Sequence, residues 1–127
     1  MMTSRIYVNR YSWHVGAYLD VTPACRDAVL KELRDAGCSE MRRADLLLRR
    51  CDENTGFAYT NKMTRCSVIV VCRSRRMSEV LDTFVHEANH VCSMIEEYYD
   101  IDAHGEEASY MIGDIVREIV DGLVEND

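Results

Sequence analysis

Apolar and polar residues alternate along Tyr11 to Leu19, with Tyr11, Trp13, Val15, Ala17 and Leu19 on one side and His14, Gly16 and Tyr18 on the other. This period of two predicts a half-buried strand, paired with a short one over Arg5 to Val8. Thr22 and Pro23 then read as an N-cap and first helical residue, and Gly37 closes a helix whose inner face is Cys25, Val29, Leu30 and Leu33. A second helix is expected from about Ser39 to Cys51, with Met41, Ala44, Leu47 or Leu48, and Cys51 inward and most of its arginines on a solvated face. Asp52 to Gly56 has turn chemistry. Phe57 to Asn61 predicts a polar edge strand, the Lys62 to Arg65 connection a hairpin loop, and Ser67 to Cys72, apolar on both faces, a central strand.

A longer helical period follows. Ser78 is the expected N-cap of a helix reaching Tyr98 or Tyr99, with Val80, Leu81, Phe84, Val85, Ala88, Val91, Cys92, Ile95 and Tyr98 as its packed stripe. Asp100 to Gly105 separates it from a last helix, Glu106 to Val124, carrying Met111, Ile112, Ile115, Val116, Ile119, Val120 and Leu123 inward. These elements predict one α+β domain over residues 1–127, with a mixed or antiparallel sheet of about three to four strands packed on the last two helices.

Composition changes the picture in two respects. A chain of 127 residues with 47% hydrophobic content buries roughly two-thirds of its unfolded surface, so it folds without a disulfide or metal, and any metal is expected to serve chemistry. The net charge of −7 argues against a broad nucleic-acid or anionic-membrane footprint. Arg42, Arg43, Arg49, Arg50, Arg65, Arg73, Arg75 and Arg76 nevertheless crowd the middle third, where a local nucleic-acid contact is a lesser reading. No apolar run approaches membrane-span length, and Met1 to Arg10 lacks the apolar core of a secretory signal, so a soluble cytoplasmic protein is expected. Cys25, Cys38, Cys51, Cys66, Cys72 and Cys92 contain no CxxC pair and read as reduced, small apolar residues.

The chemistry sits midway along the long helix, where His86-Glu87-Ala88-Asn89-His90 matches HExxH. Four helical residues advance 400°, leaving the two imidazoles about 40° apart and one turn separated, within reach of one ion. Zinc suits two imidazoles with a position left open for water, and Glu87, beside them, is placed to take that water's proton. A third ligand is sought further along the chain. Glu96 occupies the position of the last histidine of a metzincin, yet Ser93 stands where that pattern needs a helix-ending glycine, and on an unbroken helix neither Glu96 nor Glu97 reaches the ion. Glu106 and Glu107, opening the last helix, are the next candidates if that helix folds back beside the HExxH turn. Cys92 is rotated into the core, and His14 is structural.

HExxH followed by a glutamate opening a second helix resembles the gluzincins, the thermolysin-type class of zincin-fold metallopeptidases. The run from NTGFAYTN through SVIVVC and TFVHEANH to IDAHGEEASYMIGDI is also similar to small zinc metallopeptidases encoded in phages and mobile elements of gut Bacteroidetes. The resemblance implies a small zincin-like domain, Zn2+ as cofactor, a peptide or protein substrate, Glu87 as the catalytic base, and Glu106 as third ligand after His86 and His90. Tyr110 departs from the thermolysin-type pattern, which has an aspartate there to orient a ligand histidine; Asp114 or Tyr110 itself is a candidate for that task. His104, in the preceding loop, is a candidate donor to a developing oxyanion. Zincin enzymes also add an extended peptide to the sheet edge above the HExxH helix, which assigns Tyr59 or Asn61 to the cleft. Two further readings stand beside this one: a non-catalytic zinc protein acting through a protein partner, and an ordinary polar outer strand at Phe57 to Asn61.

Overall fold

The computed structural model describes residues 1–126. Its elements are β1 (Met2–Val8), β2 (Trp13–Val21), α1 (Arg26–Asp35), α2 (Met41–Arg50), β3 (Gly56–Asn61), β4 (Cys66–Cys72), α3 (Met77–Tyr99), α4 (Glu106–Asp121) and β5 (Val124–Glu125). The strands form one mixed sheet in the order β3-β4-β2-β1-β5. β4 runs parallel to β2, and the other neighbours are antiparallel. A parallel pair needs a long crossover, which here contains α1, α2 and the β3 strand.

Strand alternation divides the core into two layers. Trp13, Val15, Ala17 and Leu19 of β2, with Ile69 and Val71 of β4, pack against Val80, Phe84, Ala88, Val91 and Ile95 of α3 and Met111, Ile115 and Ile119 of α4. On the other face Tyr18 of β2 and Val68 and Val70 of β4, with Phe57 and Tyr59 of β3, meet Val29, Leu30 and Leu33 of α1 and Ala44 and Leu48 of α2, and Val21 joins them because a register shift after Tyr18 reverses the alternation of β2. β4 is covered on both faces, as its unbroken apolar run requires.

Several expectations are corrected. The sheet has five strands, because Gly122 ends α4 and the chain pairs Val124 with Thr3 and Glu125 with Met2, where a helix to Val124 was expected. Gly122 packs so closely on β1 that a Cβ there would lie 2.8 Å from Ser4 Oγ. Tyr11 belongs to a 3-10 turn, and β1 starts at Met2. Pro23 opens a 3-10 turn that feeds α1, and Thr22 makes no side-chain cap. At α3 the N-cap is Arg76, two residues before Ser78, and its N–H donates to Glu79 Oε2 at 3.1 Å. Leu81, Val85 and Tyr98 are exposed, because α4 and the sheet together cover a narrower arc of α3 than its apolar stripe spans.

All six cysteines are free, and burial pushes the Cys92 thiol up to about 12, the state of an inert core residue. Four of the eight arginines of the middle third are ion-paired: Arg49 with Asp45, Arg43 with Glu40, Arg50 with Asp52 and Arg73 with Asp20. No helix among the described residues is long and apolar enough to cross a membrane.

Candidate metal centre

The HExxH turn lies in the middle of α3, where burial of Phe84, Ala88 and Val91 fixes the helix rotation and leaves His86 and His90 exposed on its flank. The two Nε2 atoms are 3.2 Å apart. Two nitrogens bound at 2.0–2.1 Å on a tetrahedral ion would lie roughly 3.3 Å apart, so the pair already has the span of a shared metal. Glu87 completes the group: its carboxylate and the two imidazole nitrogens all lie within 4.8 Å of one another. His86, Glu87 and His90 therefore form a group that can hold a metal ion.

These side chains open into a cleft of about 660 Å³ bounded by His86, Glu87, His90, Ser93 and Met94 of α3, Gly56 to Thr60 of β3, and Ser39, Glu40 and Arg43 at the start of α2. β3 is an edge strand of the sheet. Its ladder with β4 pairs Gly56 with Val71, and the Cys72 N–H donates to the Thr55 carbonyl at 3.0 Å. Antiparallel pairing alternates, so Phe57, Tyr59 and Asn61 turn their main-chain groups to β4, while those of Gly56, Ala58 and Thr60 face outward along the cleft.

Glu87 is the buried member of the group, 7% exposed. The reason is its fit against β3: a Cβ at Gly56 would stand 2.8 Å from Thr83 Cγ2, 2.9 Å from Glu87 Cγ and 3.0 Å from Glu87 Oε2. Only glycine leaves this space. In the sequence Gly56 closes a turn, and no signal in the chain marks it as the wall behind the carboxylate. Gly56→Ala is expected to push Glu87 away from this wall and, as an overpacking change, to cost about 1–3 kcal/mol of stability. Urea unfolding of both proteins checks this; equal midpoints would mean that the neighbouring side chains move aside freely.

The remaining candidates lie elsewhere. Among the described residues, neither Glu106 nor Glu107 joins the His86, Glu87 and His90 group. α3 continues about nine residues past His90, which at 1.5 Å per residue carries the chain about 13 Å away before it turns into α4. Glu107 instead accepts a hydrogen bond from the Tyr11 hydroxyl at 2.9 Å and pairs with Arg10 at 3.0 Å. With Tyr110 and Asp114 it lines a separate, smaller cleft beside the β1–β2 connection, and Tyr110 is 66% exposed. His104 stands near Glu96, whose carboxyl burial pushes above the ordinary range and the histidine's charge pulls back.

Tyr59 does line the cleft, with its hydroxyl turned away to donate to the Gly37 carbonyl at 3.0 Å. Asn61 caps the hairpin loop, its Oδ1 accepting from the Met63 and Thr64 N–H groups. His14 stacks on Tyr7 on a distant strand. Ser39, Glu40 and Arg43 also line the cleft, although nothing local in the sequence brings the start of α2 to the edge of β3.

No protein-family model, curated protein or solved structure matches the chain.

Proposed function

We propose that the protein is a zinc-dependent peptidase with a zincin-like arrangement, hydrolysing a peptide or related amide bond in a segment laid along the outer edge of β3. The observation that carries this reading is the 3.2 Å spacing of the His86 and His90 Nε2 atoms at an open cleft floored by unpaired strand edge. Zinc, when bound, supplies Lewis acidity to a carbonyl and makes a bound water acidic near neutral pH. His86 and His90 hold the ion through Nε2. Glu87, backed against Gly56, accepts the proton at a carboxylate oxygen and passes it to the leaving nitrogen. The outward N–H and C=O groups of Gly56, Ala58 and Thr60 orient the extended segment.

A second reading keeps the metal without the reaction. It is favoured by one observation: among the described residues, the only carboxylate that joins the histidines is Glu87. If Glu87 binds the ion, the centre is a two-histidine, one-carboxylate site and its base is lost.

Zinc titration against a fluorescent chelator tests the metal first. The wild-type chain is expected to bind one zinc, and His90→Ala to weaken it well beyond the roughly tenfold to hundredfold that loss of an outer hydrogen-bond partner costs. Unchanged affinity in His90→Ala would discard the centre.

A further inference from the structure

Across the cleft from the histidines stands a cation that hydrolysis leaves without a task. Arg43, in the first turn of α2, lines the cleft on the opposite side of β3 from His86 and His90, and it is the only lysine or arginine among the lining residues. Its guanidinium lies over the Phe57 ring, 5.3 Å from the centroid. That contact holds the guanidinium at the cleft rim. Its carboxylate partner is Glu40, three residues earlier, at 3.3 Å, and the Arg43 side chain is 69% exposed. An exposed pair of this kind contributes little, so Arg43 exchanges Glu40 readily for an incoming carboxylate.

Strand geometry decides which part of a bound segment meets Arg43. Gly56, Ala58 and Thr60 turn toward α3, as the closeness of Gly56 to Glu87 and the packing of Ala58 on the α3 side of the core show. Phe57 and Tyr59 turn toward α1 and α2. Residues paired across neighbouring strands share a face. A peptide residue opposite Phe57 therefore directs its side chain onto the α2 flank beside Arg43, while the residues on either side of it point toward the histidines.

We propose that the cleft selects extended peptides carrying aspartate or glutamate at the position that pairs with Phe57, and that Arg43 is the specificity residue receiving this carboxylate. The inference rests on the peptide-binding part of the proposed function and is independent of whether the bond is cut.

Binding, measured apart from turnover, tests it. Dye-labelled ten-residue alanine–threonine peptides, amidated at the C-terminus so that no terminal carboxylate competes, carry one central Glu, Gln or Lys. They are titrated by fluorescence anisotropy into the zinc-supplemented full chain bearing Glu87→Gln. At low ionic strength the Glu peptide is expected to bind roughly five- to tenfold more tightly than the Gln peptide, as for a charge-assisted hydrogen bond at a partly exposed site. Adding Arg43→Gln should erase the difference, Arg43→Glu should turn the preference to Lys, and Glu40→Gln should widen the Glu preference by removing the internal competitor. Equal binding of Glu and Gln peptides, a preference that survives Arg43→Gln, or no binding of any peptide would overturn the inference. A Glu preference that follows Arg43, in a protein whose zinc-loaded wild-type form cuts no peptide, would uphold the inference and reject the peptidase.

Discussion

Replacing Glu87 with glutamine is expected to lower zinc-dependent peptide hydrolysis by about a hundredfold to ten-thousandfold, the usual loss when a positioned general base is removed. Glutamine has the same shape, so the tight packing against Gly56 should persist. What disappears is the ability to take a proton. The histidine nitrogens are unaltered, so zinc affinity should stay close to wild type. Measuring affinity and turnover on the same preparation separates the two roles open to this side chain. Lost turnover with retained zinc identifies a base; lost zinc identifies a ligand and favours the non-catalytic reading; full turnover would remove Glu87 from the mechanism.

The largest expected effect on stability lies at Trp13. Its side chain is fully buried, its Nε1–H donates to Ser67 Oγ at 2.9 Å, and Ser67 in turn shares a 2.7 Å hydrogen bond with Thr60 on β3. Tyr98 and Tyr99 pack edge-on against the indole at 5.4 and 6.4 Å. Trp13→Ala leaves a cavity between the sheet and α3 and is expected to cost about 3–5 kcal/mol. That is a large fraction of the roughly 5–15 kcal/mol that holds a domain folded. Trp13→Phe keeps part of the volume and removes the donor, leaving Ser67 bonded to Thr60, so its cost should be well below that of alanine. Urea unfolding of the metal-free protein measures both. A loss under 1 kcal/mol for Trp13→Ala would mean that the core collapses around the gap.

The hydrophobic pattern resolved strands more reliably than it resolved ends. Ser67 to Cys72 reads as central because both of its faces are apolar, and β4 is covered on both sides. β5 was not legible: two residues pair with β1 only because Gly122 stops α4 beside Ser4. Leu81 and Val85 fit the periodic stripe of α3 and yet are exposed. Periodicity reports which side of a helix is apolar, not how wide an arc its neighbours cover.

For the candidate metal centre the division has a clear physical cause. Pairing of His86 with His90 and the neighbouring position of Glu87 are local properties of an α-helix, set by 3.6 residues per turn, and the chain alone determined them. Everything that joins distant segments was decided by packing. The length of α3 beyond His90 carries Glu106 and Glu107 away from the histidines, and Glu107 to Arg10 and Tyr11. The sheet order leaves β3 at the edge, so Gly56 backs Glu87 and Arg43 faces the same cleft. Separation along the chain says nothing of distances across a sheet, and the cleft is made entirely of such distances.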